Sequence, residues 1–202
     1  MRALLCFAVT VAVWSLSLAA FAQGAYFSEK ALSDDPWSDH FKAVWYSQEL
    51  GCLKEPSLLD LSKDESREVY RFLWVRSFDH PVAIRLEVRA DETGMLTTKV
   101  ANGEAGFLKT ITHLIEDISR PLTREQTHAF LAQVKRSQFW LLPSSVNDQT
   151  GTDGAQWIIE GVKNGKYHVV DRWSPKTGTI RELGLTFLFG VAQMNIPKDQ
   201  IY

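Results

Sequence analysis

The chain has 202 residues, with 22 lysines and arginines against 24 aspartates and glutamates and no basic block, which excludes the electrostatic footprint of a nucleic-acid binder. Its two cysteines, Cys6 and Cys52, exclude a disulfide-stapled scaffold, so hydrophobic burial must stabilise the fold. No apolar stretch after residue 22 reaches bilayer length.

The chain opens with Arg2 and an apolar run over residues 3–18, and Ala20-Phe21-Ala22 then places small residues at −3 and −1 of a cleavage site. That pattern predicts a secretory signal peptide over residues 1–22 and a mature chain beginning at Gln23. An uncleaved anchor is the alternative, but the Ala-x-Ala end and the polar sequence after it favour cleavage. Cys6 lies inside the apolar run without a lipobox, which argues against a lipoprotein anchor. Cys52, the remaining cysteine, reads as a small buried hydrophobe rather than a reactive thiol, since no hydrolase context surrounds it.

Asp34-Asp35-Pro36 starts a helix with a capping acid and a first-turn proline. Trp37, Phe41, Val44, Trp45 and Gln48 then recur at helical spacing and predict an inward aromatic stripe, with Gly51 closing the helix in a left-handed conformation. Residues 54–57 read as a turn and 62–68 as a surface connection. From Val69 the period becomes two. Residues 69–76, 82–89 and 95–101 predict three strands of an antiparallel meander, joined by turns at 77–81 and 91–94. The segment 107–119 fits both periods, and its β-branched content with the Asn102-Gly103 turn before it makes it the fourth strand.

Thr123 and Gln126 form a capping box at the head of an amphipathic helix, 124–138, built on Phe130, Leu131 and Val134. "FWLLP" ends it, and 144–154 is a loop rich in turn formers. A hairpin follows, and residues 179–194 predict a last apolar helix.

Asn164-Gly165 is a strong two-residue hairpin turn. It sets Lys163 against Lys166, Glu160 against Val169, Ile158 against Asp171 and Trp157 against Arg172. Alternation then gives one face with Trp157, Ile159, His168, Val170 and Arg172, and another with Ile158, Glu160, Val162, Tyr167, Val169, Asp171 and Trp173. His168 points away from both carboxylates, so no relay forms within the hairpin, and no Gly-x-Ser-x-Gly supplies a nucleophile.

Glu160 and Asp171 share an otherwise apolar face, where each needs either water or a cation. Arg181, on the following segment, is the nearest candidate cation; Arg71, Arg76 and Arg85 on other strands are alternatives. As a catalytic pair, Glu160 and Asp171 would split their pKa values and work with Arg181 or Asp153. As a structural network they would pin the last helix to the sheet, and this is the favoured reading because nothing marks a substrate. A calcium-loop register starting at Gln149 would place Asp153 and Glu160 at ligand positions. It fails at Gln149 and Gly151 and is followed by a strand. The five histidines show no zinc spacing. Trp157 opposite Arg172 suggests a cation–π pair, and with His168 these are candidates for a binding face.

The set "QFWLLP", "GTDGAQWIIEG", "GKYHVVDRWSP" and "IRELG", with "YRFLWVRSFDHPVAIRL" upstream, resembles a group of uncharacterised exported bacterial proteins. The resemblance covers most of residues 23–202. It implies bacterial export and a single domain, and it carries over no catalytic residue.

The sequence thus predicts a single α+β domain over residues 23–202, an antiparallel sheet of about six strands with two or three packed helices, located in the periplasm or outside the cell. The expected function is a non-catalytic binding or interaction module of the bacterial envelope, its partner an envelope protein or a small or polymeric ligand. No cofactor or metal is called for. The alternatives are a hydrolase-like enzyme using Glu160 and Asp171, and an inhibitor or immunity-type protein that binds through the 144–154 loop.

Overall fold

A computed structural model of the chain describes residues 25–103, 113–146, 151 and 153–202. The expected signal peptide lies outside them. The fold is α+β: one six-stranded antiparallel sheet in the order β4-β3-β2-β1-β5-β6, with helices on both faces. Four strands form a meander, β1 (Glu68–Arg76), β2 (Val82–Val88), β3 (Gly94–Ala101) and β4 (Leu114–Leu122). The hairpin of β5 (Ala155–Lys163) and β6 (Lys166–Trp173) then adds to the free side of β1. That places β1 inside the sheet and covered on both sides, which is why every residue in it but Glu68 is buried, Arg71 fully.

One face carries Tyr70, Phe72, Trp74, Trp157 and Ile159 under α3 (Arg124–Arg136), α4 (Thr179–Leu185) and the π-helical turn Thr186–Val191 that continues α4. Phe130 of α3 and Phe187 of that turn meet edge to face at 4.8 Å above Phe72 and Trp157. The expected capping box of Thr123 and Gln126 starts α3. The other face carries Leu73, Val75, Ala83, Ile158 and Val169 under α1 (Pro36–Cys52) and the segment 25–35.

α1 corrects the expected helix phase. Asp35 caps it by accepting from the Ser38 N–H at 2.8 Å, as the sequence predicts, but Tyr46, Glu49 and Leu50 are its buried residues. Trp37 is 73% exposed and stacks on Phe41, which in turn packs on Trp45. The sheet below α1 is polar as well as apolar, so the inward face is the one that brings Lys42 and Tyr46 to Asp171, and the aromatic stripe is turned to the side. Gly51 also differs from expectation: the helix continues through Cys52, and Lys54, with φ 51°, takes the left-handed position.

A further turn of helix, α2 (Leu58–Leu61), is capped by Ser57 and drops Leu58 onto Val69 and Val162. The ambiguous fourth strand is a strand, running Leu114–Leu122; residues 107–112 of the expected segment lie outside the described residues. Among the described residues, no helix is long and apolar enough to cross a membrane.

Candidate functional site

The turn at Asn164 (φ 52°) and Gly165 (φ 71°) has two successive left-handed residues, the signature of a type I′ hairpin. Every pairing follows from it: Lys163 with Lys166, Gly161 with His168, Glu160 with Val169, Ile158 with Asp171 and Trp157 with Arg172. The two faces separate as the alternation requires, so His168 is on the opposite side of the ribbon from Glu160 and Asp171.

On the α1 face, Glu160 lies across from Arg71 of β1, and Arg71 across from Arg85 of β2. The Arg71 guanidinium donates to Glu160 Oε2 through Nε at 2.8 Å and Nη2 at 2.5 Å, while Tyr167 donates its hydroxyl to Glu160 Oε1 at 3.0 Å. Glu55, between α1 and α2, extends the network. Its carboxylate lies 2.8 Å from Arg85 Nε, 3.1 Å from Lys99 Nζ and 3.6 Å from Arg71 Nη1.

The same side chains satisfy the backbone of the connection that bears Glu55. Lys99 donates to the Lys54 carbonyl at 2.7 Å, Tyr26 to the Glu55 carbonyl at 2.8 Å, and Arg71 to the Pro56 carbonyl at 2.6 Å. A buried connection would otherwise leave these carbonyls unmet. The polar stripe is therefore what lets the α1–α2 link lie flat on the sheet.

Asp171 belongs to a separate cluster. Lys42 donates to its Oδ2 at 2.8 Å and the Tyr46 hydroxyl to the same oxygen at 3.2 Å. Burial pushes the Asp171 carboxyl up against the pull of Lys42, and pushes Glu160 up against the pull of Arg71. Burial also works against the Arg71 charge, but Glu160 and Glu55 outweigh it and hold the guanidinium charged. The hydroxyls of Tyr46 and Tyr167 are driven well above the usual phenol range by burial, so both remain donors.

Arg181 is not the cation of either carboxylate. It sits on the other face, with its guanidinium 5.4 Å from the Trp157 ring centre and donating to the carbonyls of Pro175 and Ile201. The network accordingly anchors α1 and the α1–α2 link, not the last helix. Arg172, opposite Trp157 in register, does not cover its ring. It donates to the carbonyls of Pro143 at 2.8 Å and Ser144 at 3.1 Å, and ties the segment after α3 to β6. Trp157 itself is fully buried, with its indole N–H on the Tyr202 carbonyl at 2.8 Å. Neither Arg76 nor Arg85 touches Glu160 or Asp171: Arg76 lies over Trp74 and beside Asp79.

His168 packs on Phe139 and Trp140, with ring centres 5.1 and 6.1 Å away, and burial lowers its pKa. The absence of a side chain at Gly161 lets Phe139 reach the sheet; a Cβ there would meet Phe139 Cε1 at 2.7 Å. Cys52 is half-buried, and burial pushes its thiol up, away from the thiolate form a nucleophile needs.

Sequence reasoning missed an open cleft of about 490 Å³ beside β6, between the 142–146 segment and the start of α4. Its lining includes Leu142, Val146, Arg172, Trp173, Lys176 and Ile180, with no acidic side chain among the described lining residues. The signal available was the "RWSPKTG" run, where two cations flank a tryptophan and a turn. Gly151 and Gly154 pack on the Trp173 ring from behind, where a Cβ would approach it to 2.7 and 2.5 Å. Residues 147–150 and 152 of the expected loop, with Gln149 of the calcium register, are outside the described residues. Among the described residues no group of His, Cys, Asp and Glu side chains could hold a metal ion. No protein-family model and no curated protein matches the chain.

Proposed function

We propose that the chain is an exported, non-catalytic binding protein of the bacterial envelope, and that the cleft beside β6 takes a ligand with an anionic group and an apolar body. The observation that carries this reading is the cleft's charge. Lys176 and Arg172 are among its lining residues, beside Trp173, Leu142 and Ile180. Its volume is within the range of small-ligand sites, and apolar walls with a few placed polar groups are their usual chemistry.

The hydrolase alternative needs Glu160 and Asp171 in one wet pocket. Both are buried, each has its own cation, and they belong to separate clusters under α1. That removes the support for an acid–base pair on the hairpin.

The test uses 1-anilinonaphthalene-8-sulfonate, an anionic aromatic probe, titrated into the folded mature protein. Saturable single-site binding is expected, weakened about tenfold by Lys176→Gln, which removes one charge near the anion. Equal binding by the protein and the variant would overturn the reading. Export is tested by intact-mass measurement of the protein from a periplasmic fraction, which should begin at Gln23.

A further inference from the structure

β4 is the outer strand of the sheet, with β3 as its single neighbour among the described residues. The backbone alternation along it can be followed from the β2–β3 pair. The Arg89 N–H bonds the Thr93 carbonyl at 2.8 Å, and the Ala101 N–H bonds the Pro81 carbonyl at 3.2 Å. Odd-numbered positions of β3 therefore bond β2, and even-numbered ones bond β4. Leu96, Thr98 and Val100 pair with Arg120, Ile118 and Glu116. The backbone groups of Asp117, Ser119 and Pro121 are left pointing away from the sheet. Pro121, which has no N–H to give, occupies one of the outward positions, where a strand tolerates it.

An outer edge of this kind is an invitation to pairing unless charge or shape blocks it. β4 carries charge, but in a self-matching order. Glu116, Ile118 and Arg120 lie on one face, and Ile118 is 55% exposed. Among the described residues Glu116 and Asp117 have no ion-pair partner. An antiparallel copy centred on Ile118 sets Ile118 against itself and Glu116 against Arg120 of the second copy, twice by symmetry. Asp117 then faces Ser119 of the second copy, and these two residues exchange the outward backbone bonds. A centre at Asp117 would oppose two aspartates, one at Glu116 two glutamates, and one at Arg120 two arginines. Opposite charges meet in one register, and like charges penalise these slips.

We infer that β4 is a homodimer interface, in which two copies of this chain join edge to edge about Ile118 into one continuous sheet. The pairing is isologous and closed, so it ends at two copies. It leaves β6 and its cleft at the far end of each half, so the inference stands or falls independently of the ligand reading.

Sedimentation velocity on the mature chain across a concentration series tests it. A concentration-dependent dimer is expected. Glu116→Arg, which sets arginine against Arg120, should weaken association at least about tenfold. Ser119→Pro deletes an outward N–H and leaves the backbone bonds to β3 in place, though it also removes the Ser119–Thr97 hydroxyl bond of 2.9 Å, and should do the same. Each variant's urea unfolding at low protein concentration shows whether the monomer is intact, and the two variants are independent of one another. Register is read directly by Ile118→Cys in a Cys52→Ser background. The directly opposed Cα atoms of a non-hydrogen-bonded pair lie within disulfide range, so mild oxidation should yield a covalent dimer. A protein that sediments as a monomer at every concentration, or folded Glu116→Arg and Ser119→Pro variants that dimerise like the parent, would overturn the inference.

Discussion

Arg71 and Glu160 stand directly across from each other on β1 and β5, and the guanidinium donates to one carboxylate oxygen through both Nε and Nη2. Neither side chain is exposed. Removing one partner strands the other charge in the sheet, a loss of about 3–5 kcal/mol for a buried pair. Glu160→Leu and Arg71→Met should each lower the unfolding free energy read from urea curves by that amount. The double variant Arg71→Met with Glu160→Leu should lose less than the sum, because Glu55 keeps Arg85 and Lys99 as partners. Strict additivity would mean the two residues do not act as a pair.

How far this was legible depends on range. The Asn164-Gly165 turn is local chemistry, so the hairpin register, the two faces and the separation of His168 from the carboxylates all follow from residues a few positions apart. The partner of Glu160 does not, because it depends on β5 choosing β1 as its neighbour across a long stretch of chain. Arg181 was the candidate on the following segment, but α4 packs on the Trp157 side, opposite to Glu160, so nearness along the chain carried no information. Lys42 was hidden for a different reason. Apolar periodicity places the Trp37, Phe41 and Trp45 stripe inward, whereas the polar needs of Asp171 choose the neighbouring stripe of α1. The cleft beside β6 was hidden because its walls come from three separated segments.

Lys42 and Asp171 give a pH-dependent prediction. Burial raises the Asp171 pKa in the folded protein, so its ionisation costs stability as pH rises through the folded value, and nothing is lost below the unfolded value near 3.8. Lys42 limits that loss. Lys42→Met should therefore destabilise at pH 8 by about 1–3 kcal/mol, reduced from the fully buried case because the lysine side chain is 25% exposed. The deficit should shrink toward pH 4 as Asp171 takes up its proton. Urea midpoints at the two pH values measure it, and a deficit independent of pH would remove Asp171 from the account.

Gly184 on α4 tests the packing of the opposite face. A Cβ built there lies 2.4 Å from Trp157 Cζ3 and 2.5 Å from Cε3, both in the middle of the core. Trp157 is fixed by Phe72, Trp74 and its bond to Tyr202, so it has no room to retreat. Gly184→Ala should cost about 1–3 kcal/mol by overpacking, despite the better helix propensity of alanine. Thermal unfolding decides it: an unchanged or higher midpoint would mean that α4 is not held against Trp157.

Glu49 supplies the last test, with the opposite sign from the ion pairs. It is 3% exposed on the buried side of α1, receives the Trp45 indole N–H on Oε1 at 3.1 Å, and has no hydrogen-bond partner for Oε2 among the described residues. Burial pushes its carboxyl from 4.5 up to about 7, only partly offset by the indole. The folded protein thus binds a proton that the unfolded chain has released between those values. Stability falls as pH rises across that window and is flat above it. Glu49→Gln keeps an acceptor for Trp45 and abolishes the buried charge. It should stabilise the protein at pH 8 by about 2 kcal/mol, below the ceiling of about 3 kcal/mol set by the shift, and change little at pH 4. Urea midpoints of parent and variant from pH 4 to pH 8 should diverge as pH rises. Parallel curves would mean that Glu49 ionises as readily when folded as when unfolded.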